Sequence, residues 1–232
     1  MIKNTIVSAT AADRLYWLGR YEERVFMTLH ILRKCYDLMI DGKPSEYKSF
    51  LEKLNSSEKY STKKDFILGM MFDENNYSSV IYAQLRAMDN AMLQRDTIST
   101  ETLSYLEMSI ALLRKCKADR ISNITELQRV SDWSLAFWGS AEQRIENSSV
   151  LMLMQAGRDV ENIDMLVRFD YSHDKIRIAW DKLKFIMENI QIDILDKYIA
   201  DKLETLIKEQ WDNDDISKKE EILNSLSILI RV

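Results

Sequence analysis

Proline, glycine, cysteine and histidine are all scarce in this chain. One proline and five glycines in 232 residues leave few of the breaks that the many turns of a β-protein need. Two histidines, His30 and His173, cannot supply the Glu-x-x-His pairs on two helices that a helical di-metal site uses, and neither follows a glutamate by three residues. No metal ligand set and no metal cofactor is therefore expected. Cys35 and Cys116 lie far apart and form no Cys-x-x-Cys, which argues against a disulfide framework or a zinc site and fits a reducing compartment. There is no Gly-x-Ser-x-Gly elbow, no phosphate-binding Gly-rich loop and no Gly-x-Gly-x-x-Gly, so no catalytic nucleophile and no nucleotide cofactor is assigned. A net charge of -5 gives no footprint for nucleic acid. The densest basic stretch, Arg114-Lys115-Cys116-Lys117, stands where a helix is expected to end, and there cations favour the negative end of the dipole. The longest apolar run, 150–154, is far too short to cross a bilayer, and the first residues lack the apolar core of a signal peptide. The expectation is a cytoplasmic protein that binds neither membrane nor nucleic acid.

What is present is apolar spacing of three and four: Leu15, Leu18, Val25, Leu29, Leu32, Tyr36 and Met39 mark one helical stripe. It predicts a helix over 11–40, with Thr10 as N-cap and Asp13 in the capping-box position, ended by Asp41-Gly42-Lys43-Pro44-Ser45. A polar region follows to 76, with short helices over 47–54 and 64–72. Further helices are predicted over 79–95, from Ser99 to 117, and from a Thr125/Gln128 capping box to 146. Others follow over 149–169, after Ser172, over 193–210, and over 218–230 with a Ser217/Glu220 cap. The fold class is all-α: one helical bundle over 1–232, divisible into sequence halves of about 1–120 and 121–232. Trp133, Phe137 and Trp138, with Trp17 and Trp180, fall mostly at core spacing, and Gly139 beside them suggests a close helix contact.

Residues 15–29, LYWLGRYEERVFMTL, align with 153–167, LMQAGRDVENIDMLV. Leu15, Gly19, Arg20, Glu23 and Met27 meet identical residues Leu153, Gly157, Arg158, Glu161 and Met165. The shared Gly-Arg-x-x-Glu points to an internal duplication related by a pseudo-two-fold axis. Arginine and glutamate three apart share a helix face. A glycine inside a helix costs about 1 kcal/mol against alanine, a cost that a close backbone approach can offset. Gly19 and Gly157 are thus expected where two helices cross, with Arg20 and Arg158 pairing crosswise with Glu161 and Glu23. The alternative is two ordinary surface ion pairs.

The stretch Leu18-Gly19-Arg20-Tyr21-Glu22-Glu23-Arg24 resembles the signature of the alpha-E domain family, bacterial all-helical proteins named for a Glu-Arg motif, here Glu23-Arg24. Residues 78–99 and 137–169 resemble the family's second and third blocks. Two departures stand out. Asn90 is kept in the second block, but Met88 and Asp89 replace the usual arginine and glutamate, and Asn162 replaces the arginine after Glu161. The resemblance implies association with circularly permuted ATP-grasp proteins and transglutaminase-like proteins, hence a part in peptide ligation or modification. Three roles follow. The first is a non-catalytic partner that docks such an enzyme or recognises its peptide. The second is an enzyme using an Arg/Glu cluster on a carboxylate or amide. The third is a structural domain that forms homo-oligomers. The candidate polar cluster is Arg20, Glu23, Arg24, Asn90, Arg95, Arg158 and Glu161.

Overall fold

The protein is described by a computed structural model over residues 7–57, 59–119, 127–190, 192, 194–209, 211 and 215–231. Among these residues the chain forms eleven α-helices and no strand, apart from one isolated bridge between Leu195 and Ile230. The helices are α1 (Ala9–Ile40), α2 (Glu46–Lys53), α3 (Lys63–Phe72), α4 (Val80–Met92), α5 (Arg95–Ile98) and α6 (Thr100–Ala118). They continue as α7 (Gln128–Arg144), α8 (Ser148–Arg168), α9 (His173–Asn189), α10 (Lys197–Lys208) and α11 (Ile216–Ile228). The all-α class read from the scarcity of breaks is the class observed.

The helix ends differ from the sequence reading in instructive ways. Ser8, not Thr10, starts α1, since its hydroxyl accepts the Ala11 amide at 3.2 Å. At α11 the cap is Asp215, which accepts from the Lys218 amide, so Ser217 is already inside the helix. Asp196 caps α10 in the same way through the Ile199 amide. Where an aspartate and a serine compete within a few residues, the carboxylate gains more from the positive helix end. Ser79 and Ser99 do cap α4 and α6, through the amides of Tyr82 and Thr102. Ser172 precedes α9 but makes no side-chain cap bond. The helix expected over 79–95 ends early, at Met92, and the short α5 follows it. The chain then turns through Ser99 at φ 70. Thr125 lies outside the described residues, and α7 starts at Gln128 without a side-chain cap.

Two compact units divide the chain: a terminal unit of Met1–Arg20 with Asn147–Val232, and a central unit of Tyr21–Glu146. The sequence halves of 1–120 and 121–232 cut elsewhere, because α7 packs on α6 and stays in the central unit. In the terminal unit α9 and α11 pack on α8, while α10 packs on α9 and α11. Its core includes Leu153, Val160, Ile163, Trp180, Leu183, Leu203 and Ile222, all fully buried. In the central unit α6 packs against α3, α4, α5 and α7. Phe66 sits among the rings of Tyr47, Phe50 and Tyr60, at centroid distances of 5.4, 5.4 and 5.7 Å. Each fully buried Leu, Ile or Phe contributes about 1.5–3 kcal/mol relative to exposure, which is what holds helices this polar together. Phe137, Trp138 and Trp180 are core residues, as their spacing suggests, whereas Trp17 and Trp133 are only half-buried. Gly139 is a correction: it is exposed, and a Cβ built on it would meet nothing within 4 Å, so no neighbouring helix explains it.

Candidate functional site

Gly19 and Gly157 mark a helix crossing in the terminal unit. A Cβ on Gly19 would stand 1.9 Å from the Met154 carbonyl oxygen and 3.1 Å from the Arg158 amide nitrogen. A Cβ on Gly157 would stand 2.0 Å from the Tyr16 carbonyl oxygen and 3.0 Å from the Arg20 amide nitrogen. Tyr16 and Met154, Gly19 and Gly157, and Arg20 and Arg158 are equivalent pairs in the aligned stretches, so the contact is reciprocal about this point. The hydrogen that replaces each Cβ is directed at a carbonyl oxygen, a Cα–H···O contact contributing about 0.5–1 kcal/mol.

The crossing carries a buried ion pair. Arg20 Nε and Nη2 both donate to Glu161 Oε2, at 2.9 and 2.8 Å, with side-chain exposures of only 9% and 1%. Two guanidinium nitrogens thus approach the same carboxylate oxygen. The guanidinium also lies 5.0 Å from the centre of the Trp17 ring and 6.0 Å from that of Tyr16. Burial alone would lower the Arg20 pKa, but Glu161, Tyr16 and Asp164 together raise it above the ordinary value. Arg20 therefore keeps its positive charge despite its burial. Burial likewise pushes the Tyr16 phenol up, against the pull of Arg20.

The remaining residues of the predicted cluster have the following surroundings. Arg158 Nε reaches Asp159 Oδ1 at 3.4 Å. Burial pushes the Asp159 carboxyl up, and its Oδ2 is buried without a hydrogen-bond partner among the described residues. Glu23 is buried in the central unit, and the Arg24 guanidinium lies 5.7 Å from the Tyr21 ring centre. Asn90 is half-buried on α4. Arg95, on α5, is 67% exposed and faces its neighbour Asp96 at 3.7 Å. Of the cluster read from sequence, then, Arg20 and Glu161 are brought together, while Arg95 stands at an open surface.

Sequence reasoning missed the polar centre of the central unit. Glu22, 1% exposed, accepts from Gln84 Nε2 at 2.9 Å and from Ser134 Oγ at 3.0 Å. Burial pushes its pKa up, and the two neutral donors only partly oppose that. Gln84 Oε1 is buried without a hydrogen-bond partner among the described residues. The signal was there: Glu22 lies in phase with Leu15, Leu18, Val25 and Leu29, Gln84 with Val80 and Ala87, and Ser134 with Val130 and Phe137. A polar residue in the apolar phase of each of three helices is how such a centre shows in sequence.

No described group of three or more His, Cys, Asp or Glu could hold a metal ion. His173 Nε2 lies 2.6 Å from the Ile207 carbonyl oxygen, and His30 is exposed. Both cysteines are buried and neither is in a disulfide, and burial, aided by Glu46, pushes the Cys35 thiol up to about 12. No helix among the described residues is long and apolar enough to cross a membrane.

Fold and site together define an all-helical domain that turns its charged signature inward, at a glycine crossing and in a buried carboxyl centre. The family model for alpha-E, "a predicted alpha-helical domain with a conserved ER motif", matches residues 7–195. The chain belongs to that family. Glu23-Arg24 is its only Glu-Arg dipeptide. The match ends before α10 and α11. No curated protein and no solved structure matches the chain.

Proposed function

We propose that this chain is a non-catalytic helical component of a bacterial, cytoplasmic peptide-ligation or peptide-modification system. In this reading it docks a circularly permuted ATP-grasp protein or a transglutaminase-like protein, or recognises the peptide they act on. The observation that carries the reading is the burial of Arg20 against Glu161, at 9% and 1% exposure. An enzyme acting on a carboxylate or amide through this cluster would need the guanidinium to meet substrate, and here it is occupied by Glu161 between two aromatic rings. Pairing the two charges offsets a large desolvation cost and leaves little reason to expose either. Two buried cysteines outside any disulfide suit a reducing compartment.

Affinity capture from the native cell, with the captured proteins identified, tests the reading alongside turnover assays on the isolated chain with ATP and carboxylate or amide substrates. An ATP-grasp or transglutaminase-like protein in the capture and no turnover by the chain alone is the expected result. Turnover that disappears in Glu161→Gln would instead establish the Arg/Glu enzyme. Absence of any such partner would favour the purely structural domain.

A further inference from the structure

Helix α9 carries a second apolar seam on the face its own core does not use. Inward it buries Ile176, Ala179, Trp180, Leu183 and Ile186. Outward, Ile178 and Phe185 are 54% and 65% exposed, one heptad apart on the same stripe. Each closes the same local pattern: Asp174-Lys175-Ile176-Arg177-Ile178 recurs as Asp181-Lys182-Leu183-Lys184-Phe185. Lys175, Asp181, Lys182 and Glu188, which flank the two apolar residues, are all exposed. What sets these two apart from other exposed apolar residues is their shared stripe and the charges that flank them on both sides.

We infer that α9 is the interface of a homodimer, in which two copies of α9 pack antiparallel about a two-fold axis passing between Asp181 and Lys182. Reversed about that point, the stripe sets apolar on apolar and each of these charges on its opposite. Reversing the helix about that point sets Ile178 against Phe185 of the second copy, and Phe185 against its Ile178. Lys175 then faces Glu188, and Asp181 faces Lys182, each pair occurring twice because a two-fold interface is isologous. A parallel arrangement would instead set Lys175 on Lys175, Asp181 on Asp181 and Lys182 on Lys182. Like charges face to face disfavour it, so the same residues that hold the antiparallel pair reject the parallel one. The Lys175 ammonium lies 5.1 Å from the Tyr171 ring centre, which holds it at the edge of the seam. Lys182 is also close enough to Asp159 of α8 to act on its carboxyl electrostatically.

A 17-residue helix is about 25 Å long, and one such seam falls below the roughly 1,200 Å² of a standard interface. The dimer is therefore weak, and its four cross-pairs make it salt-sensitive. Sedimentation velocity of the full chain, from low micromolar to near-millimolar loading at low salt, reads this directly. Wild type is expected to move from monomer towards dimer as concentration rises. Phe185→Glu and Ile178→Lys are expected to stay monomeric while keeping wild-type circular dichroism. Lys175→Glu should weaken association about tenfold or more, and adding Glu188→Lys should restore it. Oxidative cross-linking fixes the direction, since Cys35 and Cys116 are buried. Ile178→Cys mixed with Phe185→Cys should form the mixed disulfide, while Ile178→Cys alone should not. A wild type that stays monomeric throughout, a dimer unaffected by both seam variants, no recovery in the charge-swap double variant, or self-cross-linking of Ile178→Cys would each overturn the inference.

Discussion

Replacing a helical glycine by alanine ordinarily stabilises a protein by about 1 kcal/mol. At Gly19 and Gly157 the sign should reverse. The new methyl carbon of Gly19→Ala would stand 1.9 Å from the Met154 carbonyl oxygen, where real Cβ contacts essentially never fall below 3.0 Å. The obstacle is backbone and not a side chain that can swing aside, so the helices must part by more than 1 Å. Overpacking of this kind typically costs about 1–3 kcal/mol. A gap near 1 Å along the rest of the crossing forfeits about a quarter to a half of each dispersion contact. The Arg20–Glu161 bonds at 2.8 and 2.9 Å stretch as well. Set against the helix-propensity gain, the net loss is about 2 kcal/mol or more for either variant, a fall in Tm of about 4–8 °C at this chain length. One separation relieves both clashes, so the double variant should lose clearly less than the sum, with a coupling of about 0.5–3 kcal/mol. Gly139→Ala is the internal control: with nothing within 4 Å of its Cβ, it should raise Tm. Thermal melts followed by circular dichroism measure all four proteins. If Gly19→Ala matched or exceeded wild type, the close crossing would be wrong.

Three further outcomes can be checked. Glu161→Ala leaves Arg20 buried without its carboxylate and should destabilise by about 3–5 kcal/mol in urea melts, whereas exposed Arg95→Ala should change stability by less than about 0.5 kcal/mol. Glu22 has its folded pKa raised above the unfolded value, so its contribution is fully present below that unfolded value, about 4.3, and is lost as pH rises through the folded pKa. Relative to Glu22→Gln, wild type should therefore lose stability from about pH 4.5 upward; parallel pH profiles for the two would refute a carboxyl that is protonated when folded. Ser134→Ala removes one neutral donor to Glu22 and should cost about 1–3 kcal/mol while extending that same pH dependence to higher pH, read from the same melts.

Long helices were legible because the sequence repeats their period without interruption, as the stripe from Leu15 to Met39 does for α1. The Gly-Arg-x-x-Glu pair was legible for a different reason: a glycine and two charges in a helix interior contradict local preference, and their recurrence at equivalent positions asks for a shared cause. Other features were not legible because the competing signals are nearly equal. Ser8 and Thr10 are both good N-caps, and only the packed helix decides which amide is reached. Gly139 reads like Gly19 in sequence, yet one stands in open space and the other against a backbone; the difference is set by which helix lies opposite. Glu22 was overlooked in favour of Glu23 because the two are adjacent glutamates and only Glu23 recurs, as Glu161, in the second stretch. Their environments differ: Glu22 depends on Gln84 and Ser134, more than sixty residues away along the chain.

The division of the chain bears on its biosynthesis. The central unit is one continuous segment, Tyr21–Glu146, and can fold once its last helix has left the ribosome. The terminal unit cannot, because its first piece ends at Arg20 and its second begins at Asn147. Leu15, Tyr16 and Leu18 are made early and, through Gly19, belong against a helix made late. At about 5–20 residues per second, translating 147–232 takes roughly 4–17 s. Arg20 waits longer still: Glu161 is made 141 residues after it, roughly 7–28 s at the same rate, and until then the guanidinium lacks the carboxylate that neutralises it.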